Sequence, residues 1–150
     1  MPQSLAKIYI HLIFSTKNGQ QLIVSTIEGQ LYKYMATVLI SQGSMPVKIG
    51  GMPDHVHILT QMPKTQTVSK LVEEVKKRSS KWIKKKGAEL EEFSWQQGYG
   101  VFSVSQSHLD AVEKYIVDQP KHHKKLSFKD EFLAFLKKFK VDFDEKFLWD

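Results

Sequence analysis

The 150-residue sequence contains no cysteine, so neither a disulfide framework nor a thiolate metal site is available, and a reducing cytoplasm is the expected compartment. Long hydrophobic runs are also missing. The most apolar early stretch, Ile8 to Phe14, is short and interrupted by His11. No basic segment leads into a signal-peptide core, so neither secretion nor membrane spanning is expected. Internal repeats and linker-like stretches are absent too, and 150 residues with 41% hydrophobic content suit one domain over 1–150. Negative charge is the scarcer sign. Sixteen acidic against 22 basic residues leave a formal +6, which favours a polyanionic partner because basic side chains release counterions condensed on phosphates.

What is present reads as alternating strand and helix patterns. Lys7 to Ser15 puts Ile8, Ile10, Leu12 and Phe14 on one side and Tyr9, His11 and Ile13 on the other, the period of a half-buried strand. Ile27, Leu31, Tyr34, Met35 and Val38 recur at helical spacing and predict a helix over 26–40, closed near Gly43. Val47 to Ile49, a Gly50-Gly51-Met52-Pro53-Asp54 turn and His55 to Gln61 predict a hairpin. From Thr67, Val68, Leu71, Val72, Val75, Trp82 and Ile83 mark the apolar face of a long amphipathic helix. Trp95 to Ser105 predicts a fourth strand, with Gly98 and Gly100 pointing to a bulge or close backbone approach. Ser107, three residues before Asp110, looks like a helix cap, and Pro120 ends that helix. A basic turn, Lys121 to Lys125, then precedes a last helix with Phe132, Leu133, Leu136 and Phe139 inward. This order implies an α+β fold, a ferredoxin-like split βαβ sandwich with an antiparallel sheet and additional C-terminal helices.

His55 and His57 are one residue apart, so on a strand both imidazoles share a face while Val56 and Ile58 point into the core. Two neutral imidazoles on one rigid face form half of a metal site. The competing reading is a pair of histidines on a solvated sheet face. In the split βαβ order the first and third strands are neighbours, which places Tyr9 and His11 on that same face as candidate supports for the histidines. Tyr115 and Gln119, four apart, can project from one helix face towards a common point. One would suit a nucleophile and the other a metal-bound oxygen. Ordinary helix packing is the alternative for Tyr115.

Three ordered segments carry a more specific signal: Pro53-Asp54-His55-Val56-His57-Ile58-Leu59, then Gly98-Tyr99-Gly100-Val101-Phe102-Ser103-Val104-Ser105, then Tyr115-Ile116-Val117-Asp118-Gln119 followed by His122-His123. Together they resemble the single-tyrosine transposases of the HUH nuclease superfamily, over nearly the whole chain. The resemblance implies that His55 and His57 bind Mg²⁺ or Mn²⁺ with Gln119 as third protein ligand. It implies that Tyr115 attacks a single-stranded DNA phosphate, forming a 5′-phosphotyrosine and releasing a 3′-hydroxyl. A second DNA end can later displace the tyrosine without ATP. It further implies recognition of hairpins at the ends of a mobile element, and a homodimer whose tyrosine helix reaches the partner's histidines to form composite sites.

Candidate DNA contacts are Lys76, Lys77 and Lys81 on the basic helix face that runs to Lys86, and Lys121, His122 and His123 in the basic turn. A solvated charged face is the alternative for each lysine. Trp95 and Tyr99 could stack on bases, with core or dimer packing as the alternative. Two other functions compete. A catalytically silent, domesticated hairpin-binding module would bind DNA or RNA without forming an adduct. A histidine-triad hydrolase would need a third alternating histidine where Leu59 stands, and a zinc hydrolase would need a ligand that Asp54, beside His55 in a turn, does not supply on an ideal strand.

Overall fold

The computed structural model describes residues 2–150. Its strands are β1 (Tyr9–Ser15), β2 (Pro46–Met52), β3 (His55–Gln61) and β4 (Gly100–Val104), and its helices α1 (Ser25–Ser41), α2 (Val68–Lys84), α3 (Leu109–Val117), α4 (Gln119–His122), α5 (Phe128–Lys138) and α6 (Glu145–Leu148). The strands form one antiparallel sheet in the order β2-β3-β1-β4, the split βαβ arrangement expected from the sequence. The fold is therefore α+β.

The alternation of β1 and β3 divides the sheet into two unlike faces. On one, Ile10, Leu12, Phe14, Val56 and Ile58 join Leu31 and Met35 of α1 and Leu71 and Val75 of α2 in the main core. Trp95 belongs to this core, its ring edge-on to Phe14 and its Nε1–H donating to Ser79 Oγ at 3.0 Å. On the other face His11, Ile13 and Ser15 of β1 lie beside Leu59, His57 and His55 of β3. That face is covered by α5, where Phe128, Phe132 and Leu136 cluster with Ile13 and Phe102.

Two glycines let the covering helices come close enough. A side chain at Gly50 of β2 would meet Ile116 Cγ2 of α3 at 2.8 Å, and one at Gly100 of β4 would meet the Phe132 ring of α5 at 2.6 Å. Bulkier residues there would push α3 and α5 off the sheet, and both helices carry side chains of the site.

Several boundaries differ from the sequence expectation for identifiable reasons. The fourth strand starts at Gly100 rather than Trp95, because Lys76 Nζ donates to the carbonyls of Gln96, Gln97 and Gly98 and holds that stretch out of the ladder. β2 extends through Gly50 and Gly51 to Met52. Ser107 makes no cap hydrogen bond, and α3 ends at Val117, before Gln119 opens the short α4 with Pro120 in its first turn. Phe139 lies just beyond α5 at 37% exposure instead of facing inward.

A histidine, glutamine and carboxylate cluster beside Tyr115

Strand β3 delivers His55 and His57 to the α5-covered face, as their spacing requires. Neither ring is exposed to solvent, and Gln119 and Glu131 are buried with them. His55 Nε2 lies 2.9 Å from Gln119 Oε1 and 3.4 Å from Glu131 Oε1, while His57 Nε2 lies 3.0 Å from the same Glu131 oxygen. His123 Nε2 joins them, 3.0 Å from Gln119 Oε1 and 3.3 Å from Glu131 Oε1. Five potential ligand atoms thus converge from β3, α4, the residue after it and α5.

Each of these Nε2 atoms is aimed by a contact at the far side of its ring. His55 Nδ1–H donates to Asp54 Oδ1 at 2.6 Å. His57 Nδ1 is 2.7 Å from His11 Nε2. His123 Nδ1–H donates to the Leu126 carbonyl at 2.6 Å, so the neutral tautomer presents a bare Nε2 to two oxygen atoms. Lone pairs facing lone pairs repel, and a cation between them removes the repulsion. The spacing fits one: adjacent ligands about 2.1 Å from an octahedral ion are about 3 Å apart. Of these atoms, His55 Nε2, His57 Nε2 and a Glu131 oxygen all lie within 4.8 Å of one another. Two imidazoles with one carboxylate are a familiar divalent-metal set. Asp54 and His11 are the outer partners that such ligands use to fix their tautomers.

Without a metal, protons carry the balance. Burial works against charge on His55, but the hydrogen bonds it donates to Asp54 and Glu131 outweigh it and raise the imidazole to about 9. Burial dominates at His57 and lowers it. Burial and the neighbouring His57 push His11 down to about 3, so it remains neutral. Glu131 is held far below the carboxylate range: burial opposes its charge, and the hydrogen bonds from His55 and His57 outweigh that.

Tyr115 stands at the edge of this cluster. Its hydroxyl donates to Glu131 Oε2, the atom that also accepts from Gln119 Nε2 at 2.9 Å. Tyr115 and Gln119 therefore do converge on one point, although the helix is interrupted between them at Asp118. The phenol ring stacks on His122 at 4.4 Å and lies 5.8 Å from the His57 ring. Burial and the Glu131 carboxylate raise the phenol above its ordinary value.

The sequence reading missed Glu131 and discounted Asp54. Glu131 carries a signal that could have found it: with Phe128, Phe132 and Phe135 it occupies the inward stripe of α5, the one acid in an otherwise apolar set. Asp54 reaches His55 because the turn backbone departs from ideal strand geometry. His122 and His123, read as DNA contacts, turn inward to Tyr115 and the cluster instead. Lys76 is likewise committed to its three carbonyls and to the Phe14 ring, and burial lowers its ammonium to about 8. Lys77, Lys81 and Lys121 are exposed, with Lys77 3.5 Å from Glu74. Tyr9 shares the histidine face, paired with Gln61 and Val104, but takes part in none of the cluster's hydrogen bonds among the described residues. Within the single chain described, Tyr115 lies against its own histidines.

Comparison with known proteins places these observations. The sequence model of IS200-like transposases matches residues 4–119, a span that includes His55, His57, Tyr115 and Gln119 and stops short of α5. The ISDra2 transposase TnpA of Deinococcus radiodurans is 25% identical over 114 residues, covering 73% of this chain and 81% of that protein. Among solved structures, a Deinococcus radiodurans R1 protein assigned as a transposase superposes with a TM-score of 0.62 at 24% identity, over 79% of this chain and 98% of its own. A REP-associated tyrosine transposase bound to a REP hairpin superposes at 0.61 and 16% identity, over 84% of this chain and 74% of its own. At those identities the structural matches speak for the fold.

Proposed function

Because this chain belongs to the IS200-like transposase family, we propose that it is a metal-dependent single-stranded DNA endonuclease and strand transferase that works through a 5′-phosphotyrosine. The observation that carries this reading is the Tyr115 hydroxyl bound to Glu131, whose other oxygen meets the Nε2 atoms of His55 and His57. Nucleophile and metal ligands are one connected group.

His55, His57 and Gln119 would hold a divalent ion, with Glu131 and His123 within reach of it. A divalent ion held there would supply charge to polarise the scissile phosphodiester. Nitrogen donors favour Mn²⁺ over Mg²⁺, which prefers oxygen ligands and water. Tyr115 Oη forms the bond to phosphorus as the bond to the 3′-oxygen breaks. The phenol is not ionised beforehand, since burial and Glu131 oppose phenolate; Glu131 Oε2 orients the hydroxyl, and its proton leaves to solvent as attack proceeds. The released 3′-hydroxyl takes a proton from solvent. In the reverse direction a 3′-hydroxyl displaces the tyrosine, joining strands with no external energy source.

Hairpin-marked DNA is the proposed substrate, supported by the fold shared with a hairpin-bound transposase and by the basic surface of Lys77, Lys81 and Lys121. We assign cleavage to the cytoplasm, and to one chain acting in cis, since a single protomer holds nucleophile and ligands together. Described helices include none long and apolar enough to cross a membrane.

The test is a denaturing gel of protein with labelled single-stranded DNA flanking the gene and Mn²⁺ or Mg²⁺. A protease-sensitive labelled adduct that Tyr115→Phe abolishes is expected. One observation favours a second reading, the silent hairpin-binding module: His55, His57 and Gln119 have no exposure at all. Hairpin binding with no adduct under any of these conditions would select it.

A further inference from the structure

With the histidines closed off by α5, the route to Tyr115 is a groove between α3 and α5. A cavity of about 340 Å³ there is lined by Val112 and Tyr115 on one side and by Glu131, Ala134, Phe135 and Lys138 on the other. It shares His11, Val112, Phe135 and Lys138 with a second hollow of about 360 Å³ over β4, which reaches Phe139. The walls are mainly apolar, which does not suit a phosphate. Lys138 stands at the rim of both hollows.

The aromatic rings have an order. Phe135 lies edge-on to Tyr115 at 5.7 Å. Phe102 of β4 stacks beneath Phe135 at 5.3 Å and lies 4.8 Å from Phe139. Phe139 is 37% exposed and nearly parallel to Phe135, 16° apart, at 6.4 Å. Lys138 Nζ sits 5.8 Å from the Phe139 ring. A row of rings held from below and edged by a lysine is the physical form of a stacking platform for unpaired bases.

We propose that this groove is a single-strand subsite: Phe135 and Phe139 stack the bases next to the scissile phosphate, and Lys138 neutralises the adjoining backbone. It rests on the proposed tyrosine chemistry for its direction, because the row leads away from the Tyr115 hydroxyl. Base recognition by protein would then contribute to choosing the cleavage position. Phe135 and Lys138 lie on α5 and Phe139 just after it, beyond the residues 4–119 that the family model matches, whereas Phe102, Val112 and Tyr115 lie within them. The exposed Phe139 would otherwise serve a second copy of the chain, and the test includes that outcome.

The experiment measures anisotropy of labelled single-stranded flanking DNA on Tyr115→Phe protein with Mn²⁺, moving one abasic residue along the strand. Loss of one base at the groove should weaken binding roughly tenfold, within the range for base–aromatic stacking. Adding Phe139→Ala should abolish that position-specific penalty, with Lys138→Ala as a second variant that weakens all oligonucleotides at low salt. Circular dichroism melting checks that both fold. A penalty that is absent at every position, or unchanged in Phe139→Ala, overturns the subsite. So does concentration-dependent self-association that Phe139→Ala removes. An adduct from the unmodified protein without a base penalty sinks the subsite and keeps the tyrosine reaction, whereas a base penalty without an adduct does the reverse.

Discussion

Tyr115 of α3 and Glu131 of α5 are joined by a hydrogen bond, and Glu131 in turn meets His57, so the tyrosine proposed as nucleophile and the histidine pair are coupled through one buried carboxylate. Glu131→Gln keeps the size and a hydrogen-bonding oxygen but removes the charge. Adduct formation should fall by about 10²-fold, as expected when the group that orients an attacking atom is lost. Metal affinity, measured by calorimetry, should fall as well. Full cleavage by Glu131→Gln would show that Glu131 only fills space.

The importance of Glu131 marks where the sequence stops being legible. The HUH spacing fixes its own outcome, because alternation on a strand leaves two histidines one residue apart no choice of face. The sheet order followed from the sequence of strand and helix periods for a similar reason. Glu131 lies on the apolar stripe of α5, which marks it as buried, but nothing local tells that the stripe will cover the histidine face; that is set by tertiary packing, including the close approach of Phe132 to Gly100. Lys76 failed in the opposite way. It sits among Lys77, Lys81 and Lys84 to Lys86 and looks like one more solvated charge, until the chain after Trp95 returns and offers it three carbonyls.

That difference predicts unequal costs among the lysines. Lys76→Ala leaves carbonyls of Gln96, Gln97 and Gly98 without their donor and should destabilise by about 1.5–3 kcal/mol, as for hydrogen bonds to a charged group. Lys81→Ala removes an exposed side chain and should stay within about 0.5 kcal/mol. Urea unfolding of both variants measures this. On DNA the order should invert, with Lys81→Ala or Lys121→Ala weakening hairpin binding and reducing its salt dependence. Equal stability of the two variants would show that the Lys76 clamp contributes little.

The metal-free protein should be most stable near pH 6.5. His55 is raised to about 9, so its contribution is complete below the unfolded value of about 6.5 and is lost as pH rises through 9. His11, lowered to about 3, and His57, also lowered, act the other way: the unfolded chain takes up their protons first, and stability falls as pH drops below 6.5. Glu131, depressed, adds a further loss below about 4.3. Thermal melts in chelator across pH 4–10 check the maximum. A ligand nitrogen must be free of its proton, so metal should bind more tightly as pH rises towards 9 and release protons below it, visible as buffer-dependent binding enthalpy. A melting temperature that keeps rising from pH 6.5 to 9 in chelator would contradict the His55 assignment.

Because one protomer holds Tyr115 together with His55 and His57, cleavage should need no exchange of helices between chains. Tyr115→Phe and His57→Ala each remove one half of the proposed chemistry, the proposed nucleophile and a proposed metal ligand. A mixture of the two proteins contains no chain with both halves, so a cis enzyme stays inactive whether or not it dimerises. A composite enzyme regains activity in the mixed dimer, where the tyrosine of one chain meets the intact histidines of the other. With random mixing about half of the dimers are heterodimers, each carrying one complete site of two, so recovery would approach roughly a quarter of the wild-type adduct. Co-expression under two tags, with heterodimers counted by sedimentation, makes the comparison decisive. Adduct at that level would mean that α3 leaves its own cluster for the partner's, and that the Tyr115–Glu131 bond is broken in the working dimer.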